Sequence, residues 1–156
     1  MPTANCLLPN NLDLLPFDAS CPRHPVQIAK WDNSELWFMS GNKFLRPKGV
    51  VGLRIYTTDL EFGTNKISRV FAEVWQKVFS EYMREFKFMA DLAQLGFTLE
   101  VNIDSIDFQW DGYNSSLPLF VKETISRIDS IREAPLESIF NQVKEQLLQE
   151  MKNFYL

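Results

Sequence analysis

Phe97-Thr98-Leu99-Glu100-Val101-Asn102-Ile103-Asp104-Ser105-Ile106-Asp107-Phe108-Gln109-Trp110 is the stretch that decides the fold. Apolar and polar residues alternate on both sides of the Asp104-Ser105 step. A period of two puts Phe97, Leu99, Val101 and Ile103 on one face of a first strand. Ile106, Phe108 and Trp110 fall on the matching face of a second, and Thr98, Glu100, Asn102, Asp107 and Gln109 fall on the other. Two such runs, one after the other, read as an antiparallel hairpin with its turn at Asp104-Ser105. One face is apolar and one polar, so helices are expected to lie across the apolar side.

Working upstream, Gly96 stands where a helix end often needs a left-handed residue. Before it, Ile67, Val70, Phe71, Val74, Trp75, Val78, Tyr82 and Met83 follow helical spacing, continued by Phe86, Ala90 and Ala93. That length predicts two consecutive helices broken near Phe79 to Glu81. Gly63-Thr64-Asn65 is expected to be the loop that caps the first. Residues 50–57 alternate again, with Val51, Leu53 and Ile55 inward and Gly52, Arg54 and Tyr56 outward. Glu35 to Met39 is a short aromatic strand running into the turn signal Ser40-Gly41-Asn42.

Downstream, Gly112-Tyr113-Asn114 closes the sheet segment. Ser116 caps a helix with Pro118 in its first turn, ending near Ile128. A last helix begins near Pro135, with its stripe at Leu136, Ile139, Phe140, Val143, Leu147, Met151 and Phe154. It is still helical at Leu156 and lacks a C-cap residue, so the domain is expected to be cut short there. The order is strand-strand-helix-helix-strand-strand-helix-helix. That predicts an α+β fold, an antiparallel sheet with helices packed on one face.

Residues 1–34 read as a linker, and residues 35–156 as the domain. Five of the eight prolines (Pro2, Pro9, Pro16, Pro22, Pro25) fall in the linker and resist helix and ladder alike. Its apolar Leu12, Leu14, Leu15 and Phe17 predict that it lies along a surface. Cys6 and Cys21 also fall here; they could close a loop as a disulfide or stand as reduced thiols, the commoner arrangement.

The chain of 156 residues has 46% hydrophobic and 23% charged residues, which is ordinary for a folded domain, and its 13 Phe predict an aromatic core. A net charge of -4, with Lys and Arg scattered, gives no electrostatic footprint for nucleic acid. No apolar run approaches the roughly 20 residues that would span a bilayer. No signal peptide is expected in this segment, because residues 1–15 lack a basic start and are broken by polar residues and prolines. The reading therefore leans to the cytoplasm.

Chemistry is sparse. His24 is the only histidine, and it sits between Arg23 and Pro25. One histidine without clustered cysteines does not make an ordinary zinc site, so neither a metal nor a catalytic residue is expected in this segment. No nucleophile elbow, inverted zinc motif or phosphate-binding loop is present. Asp107 and Asp111 share a strand face but stand roughly 13 Å apart. Asp104, Asp107 and Asp111 therefore read as solvated positions rather than a calcium loop. Asn114-Ser115-Ser116 fits a glycosylation sequon, a pattern common by chance.

Several short runs, in order, resemble the third domain of insulysin-type (pitrilysin, insulinase) peptidases. They are residues 9–16 (PNNLDLLP), Glu35-Leu36-Trp37-Phe38, Asn42-Lys43-Phe44-Leu45-Arg46-Pro47-Lys48, Glu81-Tyr82, residues 90–97 (ADLAQLGF) and Gly112-Tyr113-Asn114. The resemblance implies a parent with four related α/β domains closing as a clamshell round a peptide chamber. It implies a zinc in the parent's first domain, whose bound water hydrolyses peptides. It also implies that residues 9–34 act as a strap and hinge between the halves. On this reading the segment is a non-catalytic middle domain giving chamber wall and interdomain packing. Arg54, Tyr56, Glu100, Asn102, Asp107 and Gln109 are then expected to face the chamber. The expected partners are the parent's other domains, peptide substrates and, in some relatives, a second copy, with no nucleic acid and no membrane. The alternative is an inactive homologue that serves as a peptide- or protein-binding module.

Overall fold

The computed structural model describes residues 4–14, 16, 20–41, 45–57 and 66–154. From Glu35 onward its elements follow the predicted order. Strands β1 (Val26–Trp31), β2 (Ser34–Phe38) and β3 (Lys48–Tyr56) precede helices α1 (Lys66–Tyr82) and α2 (Arg84–Leu92). Strands β4 (Gly96–Val101) and β5 (Ser105–Tyr113) come next, then α3 (Leu117–Ser130), a 3-10 turn at Ile131–Glu133, and α4 (Glu137–Phe154).

The strands form two antiparallel sheets rather than one: β1 with β2, and a three-stranded sheet in the order β3-β5-β4. β1 was not expected, because order was placed from Glu35. Pro22 and Pro25 just before it read as breakers, and a register shift between Gln27 and Ala29 spoils the alternation that would have revealed the strand. This hairpin makes only marginal contact with the other described elements. Its register puts Val26, Ala29, Trp31, Leu36 and Phe38 on one face. The other carries a Lys30–Glu35 ion pair at 2.9 Å, and Trp37 Nε1 donates to Glu35 at 3.3 Å.

In the main sheet, Phe97, Leu99 and Val101 of β4 lie opposite Trp110, Phe108 and Ile106 of β5, as period two predicts. Helices α1 and α2 pack over β4, and α3 packs over β5. The core joins these rows to Phe79, Met83, Ala90, Ala93, Leu95, Leu117 and Phe120. Much of it is aromatic. Phe108 stacks on Trp110 with centroids 5.9 Å apart, Phe97 meets Trp110 at 5.6 Å, and Phe86 meets Phe120 at 5.7 Å. Each such pair contributes about 0.5–1.5 kcal/mol beyond the area it buries.

Several local expectations shift. The hairpin turn is Ile103-Asp104, one residue earlier than predicted, since Asn102 N–H bonds Ser105 O at 2.8 Å. Ile103 therefore sits exposed at the turn instead of inward. The helical break comes at Met83, although Met83 and Lys87 keep their backbone bonds to Phe79 and Met83. The left-handed residue after α2 is Gln94 (φ 55), not Gly96. Gly96 instead starts β4, opposite Asp111 of β5. Ser116 takes the N-cap position of α3, but its side chain makes no capping bond. The apolar stripe of α1 is buried only from Ala72 onward; Ile67, Val70 and Phe71 face outward. On α4, only Val143 is fully buried, while Phe140 and Met151 are exposed. Gly63-Thr64-Asn65 lies outside the described residues.

The N-terminal stretch is fastened at Leu7 and Asn5. Leu7 is 2% exposed inside the core, and Asn5 Nδ2 donates to Met89 O at 2.7 Å. Leu12 and Leu14 are exposed, and Leu15 and Phe17 lie outside the described residues.

Candidate functional site

The register of the main sheet brings the six predicted chamber residues onto one face. Arg54 pairs across to Asp107 and Asp107 to Glu100; Gln109 lies between Gly52 and Thr98. Tyr56 and Asn102 both border Ser105, Tyr56 through the strand pairing and Asn102 through its bond to Ser105 O. Strand alternation turns all six away from the face that carries Leu99, Phe108 and Trp110. Five are exposed and Asp107 is half-buried.

Asp107 is the centre of this face. Arg54 grips its carboxylate with both arms of the guanidinium, Nε to Oδ1 at 2.8 Å and Nη2 to Oδ2 at 2.6 Å. Asn102 Nδ2 adds a bond to Oδ2 at 3.2 Å. Planar two-point pairing is the strongest geometry available to an arginine and a carboxylate. The Arg54 hydrogen bonds hold the Asp107 carboxyl below its ordinary range, and Asp107 in turn raises the Arg54 guanidinium. With Arg54 engaged, Glu100 leaves the row with a net negative charge. The face offers hydrogen-bond donors and acceptors in a flat array.

Among the described residues, no three His, Cys, Asp or Glu side chains stand together as a metal ion would need. The donor set here does not fit the zinc that the resemblance implies for the parent. No helix of the described residues is long and apolar enough to cross a membrane.

Three of the short runs quoted above meet at one end of the sheet. Tyr113 Oη donates to Gln94 Oε1 at 3.3 Å, and Lys48 Nζ sits 4.7 Å over the Tyr113 ring. Asn114 N–H donates to Pro47 O at 2.9 Å. Gly112 has φ 143, and a Cβ there would stand 3.0 Å from Gln94 O and run into Leu95. Only glycine fits that conformation and that approach. These residues clasp the two outer strands to the central one, which is structural work.

Compared with known proteins, all of residues 1–156 match the model of the middle or third domain of peptidase M16. The chain belongs to that family. It is 24% identical over 154 residues to human insulin-degrading enzyme and 23% identical over 147 residues to human nardilysin. Those alignments take in 99% and 94% of this chain but only 15% and 12% of the relatives. Crystalline pitrilysin shares the fold, with a TM-score of 0.81 over 97% of this chain and 16% of its own, at 18% identity. The chain is thus a middle domain of an insulinase-type metallopeptidase family, spanning less than a sixth of the length of these curated relatives.

Proposed function

We propose that this domain acts inside a longer zinc metalloendopeptidase as a non-catalytic wall of its peptide chamber and as a packing surface for its other domains. The observation that carries the wall reading is the polar face of Arg54, Tyr56, Glu100, Asn102, Asp107 and Gln109. It lies exposed on the side of the sheet away from the described helices. A flat array of donors and acceptors can hold an extended peptide through its backbone without selecting a sequence. Zinc bound elsewhere in the parent would supply the activated water; this chain's residues would confine and orient the peptide. The names of insulin-degrading enzyme and nardilysin, with family membership, support a proteolytic parent.

The packing reading is supported by bare apolar surface. Val51, Leu53 and Ile55 of β3 continue the core rows of β5 yet lie 39–45% exposed, and Ile67, Val70 and Phe71 of α1 are more exposed still. Surfaces of this kind mark interfaces.

The test is thiol labelling in the longer protein, with Cys6 and Cys21 changed to serine. Cysteine placed by Gln109→Cys should react with a maleimide more slowly when a peptide substrate is bound. Cysteine placed by Glu123→Cys, on the helical side, should react at an unchanged rate. Equal rates at Gln109→Cys with and without peptide would falsify the wall reading.

A further inference from the structure

The free edge of β4 runs beside a helical wall, and we propose that this groove is a second peptide site. It would take an extended segment of about seven residues, acidic at both ends, as an added strand. In an antiparallel pair, alternate residues bond the partner strand and the rest point their backbone groups away. Asn102 bonds Ser105, so residues 96, 98 and 100 also face β5. The N–H and C=O groups of Phe97, Leu99 and Val101 therefore point off the sheet. A side chain already reaches one of them: Gln76 Nε2 donates to Leu99 O at 2.8 Å.

Two hollows lie end to end along this edge, about 310 Å³ beside Val101 to Ile103 and about 180 Å³ beside Phe97 to Leu99. Arg69, Glu73 and Gln76 wall the first; Ser80, Met83 and Lys87 wall the second. These positions follow one stripe of α1 into α2, and the Gln76 bridge marks the division between the hollows. A strand edge facing a helix across a groove is the arrangement by which peptides are added to sheets: main-chain bonds give affinity and the wall gives preference. Seven strand residues span about 23 Å, close to the length of the helical wall. Arg69 stands at one end and Lys87 at the other, and neither makes an ion pair among the described residues. Lys87 calls for a carboxylate at its end of the groove, and Arg69 for one at the other, where Glu73 shares the hollow and makes that preference the weaker of the two. Among the described residues, no helix walls the β3 edge in this way.

This site does not depend on the chamber reading. It uses β4 main-chain groups and α1 side chains, so either proposal can fail alone. The probe is an acetylated, amidated heptapeptide alternating valine and threonine, with aspartate at both ends, added to the whole 156-residue chain. Amide NMR should show the N–H signals of Phe97, Leu99 and Val101 moving. N-methylation of alternate residues in the probe should weaken binding at least tenfold, and lysine ends at least threefold. Val101→Pro removes one outward N–H without touching the β5 ladder, and should weaken binding at least tenfold. If that variant fails to fold, Ser80→Trp blocks the wall instead and should do the same. Gln76→Ala frees Leu99 O and should tighten binding two- to fivefold. The site is overturned if those three amides stay still at millimolar probe, or if Val50, Gly52, Arg54 and Tyr56 move instead. Indifference to N-methylation also overturns it, and equal binding of lysine-ended probe overturns its acidic preference.

Discussion

Two neighbouring rows of the same sheet end up in opposite environments. Phe108 and Trp110 of β5 lie under the helices, with Trp110 1% exposed. Val51 and Leu53, directly across from Trp110 and Phe108 on β3, are open, with Leu53 44% exposed. The alternation in sequence is equally clean in both. Period two tells which side chains share a face; it does not tell whether anything lies on that face. Cover depends on helices supplied from elsewhere, and among the described residues they pack over β4 and β5.

The largest test of this contrast is to truncate both rows. Trp110→Ala should cost about 3–5 kcal/mol, the usual penalty for emptying a packed aromatic site. Leu53→Ala should cost under about 1 kcal/mol in this chain, because the residue has little burial to lose. Urea unfolding compares them, and a Leu53→Ala cost above 2 kcal/mol would mean that β3 is covered in solution. Trp110→Phe sharpens the point, since the indole Nε1 is buried without a partner. Removing an unpaired donor should spare much of the penalty seen with alanine.

Next in size is Gly112→Ala, which forces a Cβ into a backbone conformation and a contact that exclude it. A loss of about 1–3 kcal/mol is expected from the conformation alone. Thermal melting measures it, and an unchanged midpoint would show that the clasp can relax.

The bare row should also make the isolated chain self-associate as concentration rises. Light scattering should report it, and Leu53→Lys should reduce it. A monodisperse monomer at high concentration in the unaltered chain breaks the argument.

The smallest effect is with acid. Hydrogen bonds from Arg54 hold Asp107 below the ordinary carboxylate range, and those from Lys77 do the same for Glu150. A folded-state depression stabilises above the unfolded pKa, near 4, and that contribution fades as pH falls through the lower folded value. Unfolding between about pH 5 and 2 should therefore flatten slightly in Asp107→Asn. Both pairs are largely exposed, so salt should shrink the difference.

Much of this architecture was legible in the residues. Strong periods marked β3, β4, β5, α1, α2 and α4, Ser116 and Pro118 marked the start of α3, and the alternation alone sorted Arg54, Tyr56, Glu100, Asn102, Asp107 and Gln109 onto one face. What the sequence hid were contacts between distant positions. The two-point grip of Arg54 on Asp107 depends on a register set across 53 residues. Gln76 carried one faint signal, a polar residue between Ala72 and Phe79 on an otherwise buried stripe. Leu7 carried none, since a lone leucine among prolines looks like any linker residue. The β1–β2 hairpin was obscured by its own irregularity.

Leu7 also decides how force would travel. A pull arriving from residues upstream meets the core first, through the buried leucine and the Asn5 amide on Met89. The proline-bearing run from residue 8 to 25 follows that anchor in the chain. Load on this end of the domain is thus borne first by Leu7 and Asn5.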